Sequence, residues 1–327
     1  MSTVETVRGP VETGALGRTY MHEHIFVLGA ENVQNYGAGA WWDEEARVAD
    51  AVAKLRDLAA QGVSTIADPT VWGLGRYIPR VQRIAEQVPE LNIVVATGIY
   101  SYNDVPFQFH HRGPGTLLDD GTEPMTDDFV RDLTEGIAGT GVKAAFLKCA
   151  IDAPGLTPGV ERILRAVAGA HRATGAPVTV HTESSIEAGR IVVDLLGREG
   201  VDLAKVVIGH AGDSTDLDYL TALADTGAIL GMDRFGLDII NPTDARVATI
   251  AALCERGYAD RMVLSHDASC YMDWFGPDPE LMRSAAPNWH YRHIDQDVIP
   301  ALRAAGVTGA QIDQMLVENP RRYFTSA

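Results

Sequence analysis

The feature that most constrains the fold is an alternation of short apolar runs with longer amphipathic segments. Eight short β-rich runs lie around residues 18–28, 63–70, 92–100, 144–150, 177–182, 205–212, 228–235 and 262–269. Several are continuous rather than alternating in polarity, which is typical of strands buried on both faces of a parallel sheet. Between them, segments 43–62, 78–90, 157–175 and 185–200 have the spacing of amphipathic helices.

Eight strand–helix units imply parallel strands joined by crossover helices. The chain has 327 residues, a length that suits one α/β barrel with insertions. We therefore predict a single (β/α)₈ domain over residues 1–327. An open doubly wound sheet is the alternative, because periodicity alone does not exclude it.

Charge and composition exclude several classes of protein. The formal net charge is -17 and no basic run occurs, so a nucleic-acid partner is not expected. No apolar stretch is long enough for a membrane span, and the first residues lack the features of a signal peptide. Cys149, Cys254 and Cys270 have no zinc-site spacing and are odd in number. These features predict a cytoplasmic protein with a small-molecule substrate.

The residue types that bind metals lie near the ends of the predicted strands. In a parallel barrel these ends form one face, which carries the active site. His22 and His24 flank Glu23 and, being two apart on a strand, point the same way. One buried histidine is more often a hydrogen-bonded core residue than a ligand. Five strand ends together predict a site for zinc, cobalt, iron or manganese, built from His22, His24, Lys148, His181, His210 and Asp267.

Lys148 is unusual in this position. A buried ammonium beside two cations would be strongly disfavoured. The lysine fits if it is neutral or converted by carbon dioxide to a carbamate, an anion whose two oxygens can bridge two metals. The other interpretation is a lysine that extends to the barrel rim.

Five motifs carry a resemblance to a known family. MHEH, the lysine of FLKCA, VHTE, GHAGD and LSHD occur in this order, and the similarity extends from RGPVETGALGRTYMHEH to VENPRRYF. The chain resembles the phosphotriesterase family of the amidohydrolase superfamily, and within it the phosphotriesterase-like lactonases. The resemblance implies two divalent metal ions, one held by His22, His24 and Asp267, the other by His181 and His210. Lys148, as N6-carboxylysine, would bridge both together with a hydroxide.

This resemblance also implies a reaction. Two metal ions polarise a carbonyl or phosphoryl oxygen and lower the pKa of the water between them. Asp267 is expected to take a proton from the attacking hydroxide and to pass it to the leaving alkoxide. A non-catalytic sensor on the same barrel is the alternative from another class, and the complete ligand set argues against it.

Tyr100 and Arg234 bear on the choice of electrophile. They occupy motifs, TGIY and DR-aromatic-G, that match the lactonases and differ in classical phosphotriesterases. Tyr100 is expected to hydrogen-bond the lactone carbonyl or the hydroxide, and Arg234 to shape the pocket. The alternative for Arg234 is a surface ion pair with Asp233 or Asp238. Phe235 stands where the family often has tyrosine.

A long apolar segment follows Asp267 and is expected to cover the substrate. Its predicted substrate contacts are Cys270, Trp274, Phe275 and Trp289. Such a loop favours an acyl chain, and hence N-acyl-homoserine lactones, with phosphotriesters or other esters as the alternative substrates. It could equally be a dimer contact, since homodimers are common in the family.

Three further side chains are predicted to lie away from the metals. Glu23 should point away from His22 and His24, and Cys149 away from Lys148 into the helix layer. His171 lies in a helical pattern and is expected to be exposed.

Overall fold

The computed structural model of the protein describes residues 2–37, 42–275 and 280–325. Its strands, in chain order, are β1 (Thr3–Thr6), β2 (Gly9–Glu12), β3 (Thr19–Tyr20), β4 (His24–Val27), β5 (Thr65–Asp68), β6 (Asn92–Gly98), β7 (Phe146–Ile151), β8 (Val178–Thr182), β9 (Val206–Gly209), β10 (Ile229–Met232), β11 (Met262–Leu264) and β12 (Ser269–Met272). Within these residues, β3 and β5 to β11 form one eight-stranded sheet in chain order. Its neighbouring strands are parallel.

Hydrogen bonds between the first and last strands close this sheet into a barrel. The Asp267 amide donates to the His22 carbonyl at 3.0 Å, and the His24 amide donates to the Ala268 carbonyl at 2.8 Å. Beyond this point β4 and β12 continue as a parallel pair. The predicted (β/α)₈ barrel is confirmed, and the open sheet is excluded.

Helices surround the barrel. They are α1 (Ala30–Tyr36), α2 (Glu44–Ala60), α3 (Ile78–Ala85), α4 (Pro124–Thr134), α5 (Pro158–Thr174), α6 (Ala188–Arg198), α7 (Leu217–Asp225), α8 (Thr243–Glu255), α9 (Glu280–Ala285), α10 (Ile299–Ala304), α11 (Gly309–Asp313) and α12 (Asn319–Phe324). Two π-helical turns, Ile294–Val298 and Gln314–Glu318, lead directly into α10 and α12. Among the described residues, every helix is too short or too polar to cross a bilayer.

Alternate residues of the strands feed two hydrophobic clusters. In β6, Val94 and Ala96 belong to the cluster that fills the barrel, whereas Ile93 and Val95 pack in the layer between strands and helices. This period of two explains why the strand sequences are apolar throughout, since both faces are buried. Cys149 lies in the outer layer, as predicted.

Both ends of α5 make side-chain contacts that the sequence pattern does not predict. The Thr157 side chain caps α5 by accepting a hydrogen bond from the Val160 amide. Near the other end, His171 is buried, and its Nδ1 lies 2.8 Å from the Ala176 carbonyl. Its Nε2 accepts a hydrogen bond from the Asp202 amide. The prediction that His171 is exposed was wrong, because the loop that follows α6, which contains Asp202, packs over this part of α5.

Candidate metal centre

The six predicted ligand residues converge at the carboxyl end of the barrel. His22 follows β3, His24 begins β4, Lys148 lies in β7, His181 in β8, and His210 and Asp267 follow β9 and β11. The four imidazoles and the Lys148 ammonium are buried, and the Asp267 side chain is 14% exposed. The Asp267 carboxylate is thus slightly more exposed than the His181 side chain, which is 10% exposed.

Asp267 is the common neighbour on one side of the centre. Its Oδ1 lies 3.3 Å from His22 Nε2 and 3.2 Å from His24 Nε2. Together these three residues offer ligand atoms within 4.8 Å of one another. Two imidazoles and one carboxylate form a ligand set that suits a divalent transition metal.

His181 and His210 form the other side. Nδ1 of His181 lies 2.9 Å from Nε2 of His210, and the same His210 nitrogen lies 3.8 Å from Asp267 Oδ2. Lys148 Nζ lies 3.3 Å from His22 Nε2. Asp267 thus faces both sides, and Lys148 lies beside His22; the bridging role of Lys148 that the resemblance implies stays a prediction.

Asp233 connects the two sides from behind, and its role was missed from the sequence. Its Oδ2 lies 3.0 Å from His22 Nδ1, and its Oδ1 lies 2.9 Å from His210 Nδ1. The three residues also form a cluster that could hold a metal. However, a carboxylate that accepts hydrogen bonds from both Nδ1 atoms leaves both Nε2 lone pairs free to bind metal. We therefore interpret Asp233 as the residue that sets these tautomers.

Two ligand residues have a left-handed backbone. His210 has φ 64° and Asp267 has φ 55°, values that are uncommon for residues other than glycine. The His210 amide donates to Asp233 Oδ1 at 2.8 Å, and the Asp267 amide donates to the His22 carbonyl. Local hydrogen bonds thus hold both residues where strand geometry ends.

Burial and neighbouring charges determine the protonation of the centre. Burial lowers the pKa of Lys148 to about 8 and that of His181 to about 4. Burial raises the pKa of Asp267, but the imidazoles of His22 and His210, a hydrogen bond from His24 and the charge of Arg234 hold it well below its usual range. A neutral lysine, neutral imidazoles and an ionised carboxylate are the states that bind metal.

His24 behaves differently from the other imidazoles. Burial acts to lower its pKa, yet hydrogen bonds to Asp267 and Asp68 raise it to about 9. On its outer side, Nδ1 lies 2.7 Å from Thr70 Oγ1. A bound cation facing Nε2 would displace this proton.

Arg234 enters the centre rather than the surface. Its Nε donates to Asp267 Oδ2 at 3.1 Å, and its Nη1 donates to Asp213 Oδ2 at 2.9 Å. The alternative of a surface ion pair with Asp233 or Asp238 was wrong. An arginine held by two carboxylates keeps Asp267 ionised and fixes its direction.

Tyr100 lies beside His181. Its hydroxyl donates to Asp152 Oδ2 at 2.7 Å, and its ring meets the His181 ring edge-on at 5.1 Å between centroids. Asp152 Oδ2 is also 3.4 Å from His181 Nε2. Asp152 was not predicted, although its position four residues after Lys148 could have indicated it.

The loop after Asp267 provides two exposed aromatic side chains near the centre. Trp274 and Phe275 are 47% and 43% exposed, and the Trp274 ring lies 6.1 Å from that of Tyr100. Part of this segment is β12 rather than loop, because it pairs with β4. Exposed aromatic rings at this position suit contact with an apolar group.

Two other predicted contacts lie deeper. Trp289 is half-buried, and its Nε1 donates to the His266 carbonyl at 2.8 Å. Cys270 is buried, with Sγ 3.4 Å from the Tyr291 hydroxyl, which itself donates to the His24 carbonyl. Trp289 thus contacts the backbone next to Asp267, and Cys270 contacts the tyrosine that binds the His24 backbone. Their direct contact with substrate stays a prediction.

The residues present fit a pair of divalent ions. Among the described residues Lys148 has no ion-pair partner, and its Nζ faces an imidazole nitrogen. Two further imidazole nitrogens face each other at 2.9 Å. A buried ammonium and two imidazole lone pairs that face each other are costly, and cations bound at these atoms would remove that cost.

The sequence profile of the phosphotriesterase family matches residues 2–324. The chain belongs to the phosphotriesterase family. It is 59% identical over 324 residues to the "Phosphotriesterase homology protein" of Mycobacterium tuberculosis, covering 99% of this chain and 98% of that protein. It is 38% identical over 315 residues to the "Aryldialkylphosphatase" of Saccharolobus solfataricus, covering 96% and 97%.

A solved structure of a family member has the same fold. The "Structure of the phosphotriesterase from Mycobacterium tuberculosis" superposes with a TM-score of 0.96 at 58% identity, covering 99% of this chain and 98% of that one. Family membership and the aryldialkylphosphatase relative identify a hydrolase that acts on esters. These names do not distinguish a lactonase from a phosphotriesterase.

Proposed function

We propose that this hydrolase opens lactone rings, with N-acyl-homoserine lactones as the preferred class, so that it would act in quorum quenching. Phosphotriester hydrolysis would be a secondary activity of the same centre. The observation that carries the proposal is the arrangement of three aromatic rings. The centroid of the Tyr100 ring lies 5.1 Å from that of His181 and 6.1 Å from that of Trp274. An aromatic surface of this kind beside the centre suits contact with the apolar chain of an acylated lactone.

Two divalent ions complete this centre in our proposal. His22, His24 and Asp267 would hold one, His181 and His210 the other, and Lys148 as a carbamate would bridge them. When bound, zinc, cobalt, iron or manganese ions would polarise the ester carbonyl and lower the pKa of the attacking water.

The residues around the centre would handle the proton. Asp267 takes the proton of the attacking water as the new bond to the carbonyl carbon forms. The same proton passes to the ring oxygen when its bond to that carbon breaks, which gives an open-chain hydroxy acid. Arg234, 3.1 Å from Asp267 Oδ2, keeps the carboxylate ionised before the reaction.

Phosphotriester hydrolysis as the main activity is the second candidate. It is supported by the relative named aryldialkylphosphatase. A triester with a phenolic leaving group needs no proton from Asp267, since a phenolate leaves readily. The relative turnover of the two substrates by one preparation separates the two candidates experimentally.

The test compares both substrates in one preparation. The enzyme is purified with cobalt and bicarbonate, metals are counted per chain, and turnover is measured on N-acyl-homoserine lactones and on paraoxon. We expect two metals and a kcat/KM far higher for lactones. Asp267→Asn should abolish lactone opening, and Asp194→Asn, on an exposed aspartate of a surface ion pair, serves as its control. Faster paraoxon turnover would favour the second candidate, and turnover that survives chelation would exclude the metal mechanism.

We also propose a cytoplasmic homodimer. The three cysteines are free and buried, which suits a reducing compartment. Exposed apolar side chains such as Tyr36 and Tyr77 offer surface for a second copy. Sedimentation analysis should give twice the mass of one chain, and a monomer at micromolar concentration would contradict this proposal.

A further inference from the structure

Asp152 joins the candidate metal centre to Tyr100. One carboxylate oxygen, Oδ2, lies 2.7 Å from the Tyr100 hydroxyl and 3.4 Å from His181 Nε2. The other oxygen, Oδ1, accepts a hydrogen bond from the Ala153 amide at 2.7 Å. The two oxygens thus have separate partners: Oδ1 fixes the carboxylate to its own backbone, and Oδ2 faces the centre.

The Tyr100 hydroxyl has one proton, and the hydrogen bond to Asp152 uses it. A carboxylate oxygen can only accept, so Tyr100 is the donor in the contact with Asp152. The phenol oxygen is then left with lone pairs, which can accept a hydrogen bond but cannot donate one. The expectation that Tyr100 donates to a lactone carbonyl is therefore incompatible with this contact.

His181 is held by the same oxygen. Its Nδ1 faces His210 Nε2 at 2.9 Å, so Nδ1 is the nitrogen available to a metal. Its Nε2 then carries the proton and points to Asp152 Oδ2. A carboxylate partner on the outer nitrogen fixes the tautomer and the direction of a metal-binding imidazole.

We propose that Asp152 is a positioning residue that fixes His181 for metal binding and turns the lone pairs of Tyr100 toward the substrate side of the centre. Tyr100 then acts as an acceptor for the attacking water, or for the amide N–H of an acylated lactone, rather than as a donor to the ester carbonyl. This inference rests on the proposed function for its substrate, but its effect on His181 does not depend on substrate.

The first measurement follows metal release, because it needs no turnover. Cobalt-loaded enzyme is mixed with excess chelator, and the loss of the cobalt absorption is timed. We expect release from Asp152→Asn to be about ten to a hundred times faster than from the wild type. Asp104→Asn, on an exposed aspartate of a neighbouring loop, is the matched control and should release cobalt at the wild-type rate.

The second measurement tests the link to Tyr100. Asp152→Asn and Tyr100→Phe are compared singly and together, on a lactone and on paraoxon. If Asp152 acts through Tyr100, the double variant should have the same ratio of lactone to paraoxon kcat/KM as Tyr100→Phe alone. Asp152→Glu retains a carboxylate and should restore part of the cobalt retention.

The outcomes are distinct from those that test the proposed function. Unchanged cobalt release in a folded Asp152→Asn would overturn the role at His181, whatever the substrate. Independent effects of the two substitutions on the substrate ratio would overturn the link to Tyr100. If Asp152→Asn does not fold, Tyr100→Phe still tests the proposal. This variant keeps the contact between Asp152 and His181, so it should release cobalt at the wild-type rate. Faster release from Tyr100→Phe would contradict it.

Discussion

At the scale of single residues, the centre depends on carboxylates that each serve two partners. Asp233 contacts His22 and His210, Asp267 contacts His22 and His24, and Asp152 contacts Tyr100 and His181. A shared carboxylate fixes two side chains relative to each other, since neither can rotate without losing the contact. This explains how residues from five separate strands hold positions within a few ångströms.

Lys148 is the residue whose chemistry depends most on pH. Its amine reacts with carbon dioxide only when neutral, and burial lowers its pKa to about 8. Because the folded pKa lies below that of a free lysine, the neutral fraction at pH 7 is about one in ten, far above that of an exposed lysine. Below pH 8 this fraction falls about tenfold per pH unit.

We therefore predict that reactivation of the metal-free enzyme depends on pH and on carbon dioxide. At fixed dissolved carbon dioxide and fixed cobalt, the initial rate of reactivation should rise at least about tenfold from pH 6 to pH 7. It should level off only near pH 9, because His24, whose pKa is about 9, must also lose its proton to bind cobalt. Activity assayed at one constant pH after timed incubation measures this rate. Lys148→Ala should not reactivate at any pH. A rate that is flat from pH 6 to 9, or insensitive to carbon dioxide, would contradict carbamate formation.

At the scale of elements, Glu23 fastens the first ligand strand to the last. This side chain is fully buried. Its Oε1 accepts hydrogen bonds from Ser265 Oγ, the His266 amide and His266 Nδ1, at 2.7 to 3.0 Å. Its Oε2 accepts from the Ala268 amide at 3.1 Å. These donors flank Asp267 on both sides, so one glutamate defines the left-handed turn that presents Asp267.

We predict that Glu23→Gln destabilises the barrel and slows the reaction. The amide keeps the shape of the side chain but directs an N–H group at the Ala268 amide, which now donates to Oε2, so a buried donor loses its partner. The expected loss is about 1–3 kcal/mol in the free energy of unfolding. Because the Asp267 turn loosens, kcat should fall about tenfold or more.

Urea unfolding and steady-state kinetics measure these two effects. Glu90→Gln, on an exposed glutamate, is the matched control and should change stability by less than about 0.5 kcal/mol. If Glu23→Gln matches this control in both measurements, the four hydrogen bonds do not position Asp267.

The sequence predicted the strands well because strands buried on both faces contain mostly apolar residues. Short β-rich runs, several of them continuous apolar segments, predicted all eight barrel strands, and ligand residue types at their ends predicted the centre. The N-terminal hairpin of β1 and β2 was missed, and so was β12, whose SCYM sequence reads as loop. β12 becomes a strand because β4 offers it a parallel partner, and such a pairing partner leaves no local signal.

The contacts around the centre could not be predicted, because they join residues distant along the chain. The Arg234 side chain finds Asp213 and Asp267, 21 and 33 residues away, rather than its sequence neighbour Asp233. Asp233 instead turns inward to two histidines. The spacing of residues along a strand predicts which side chains share a face. It does not predict which distant carboxylate they contact, because that depends on how the barrel closes.

At the scale of the whole molecule, the candidate centre lies where the barrel closes. His22 and Asp267 come from the first and last strands, and backbone hydrogen bonds join these strands at this point. A metal held by His22, His24 and Asp267 would therefore tie the two ends of the sheet together. Without it, Lys148 is a buried ammonium and the nitrogens of His181 and His210 face each other, with Asp267 as the neighbouring negative charge.

Metal removal should therefore lower thermal stability as well as activity. A ligand that binds only the folded state stabilises it by RT ln(1 + [L]/Kd), which is about 4 kcal/mol when the free metal is a thousand times Kd. For a chain of this size such a change corresponds to a Tm shift of about 8–16 °C or somewhat less. Calorimetry of the cobalt enzyme and of the chelated enzyme measures the shift. His24→Asn should show a much smaller response to cobalt, because it removes a ligand of the metal that would join the two ends. Equal melting temperatures with and without metal would show that closure of the barrel is independent of the centre, and that the sheet hydrogen bonds and the Glu23 contacts alone hold its two ends.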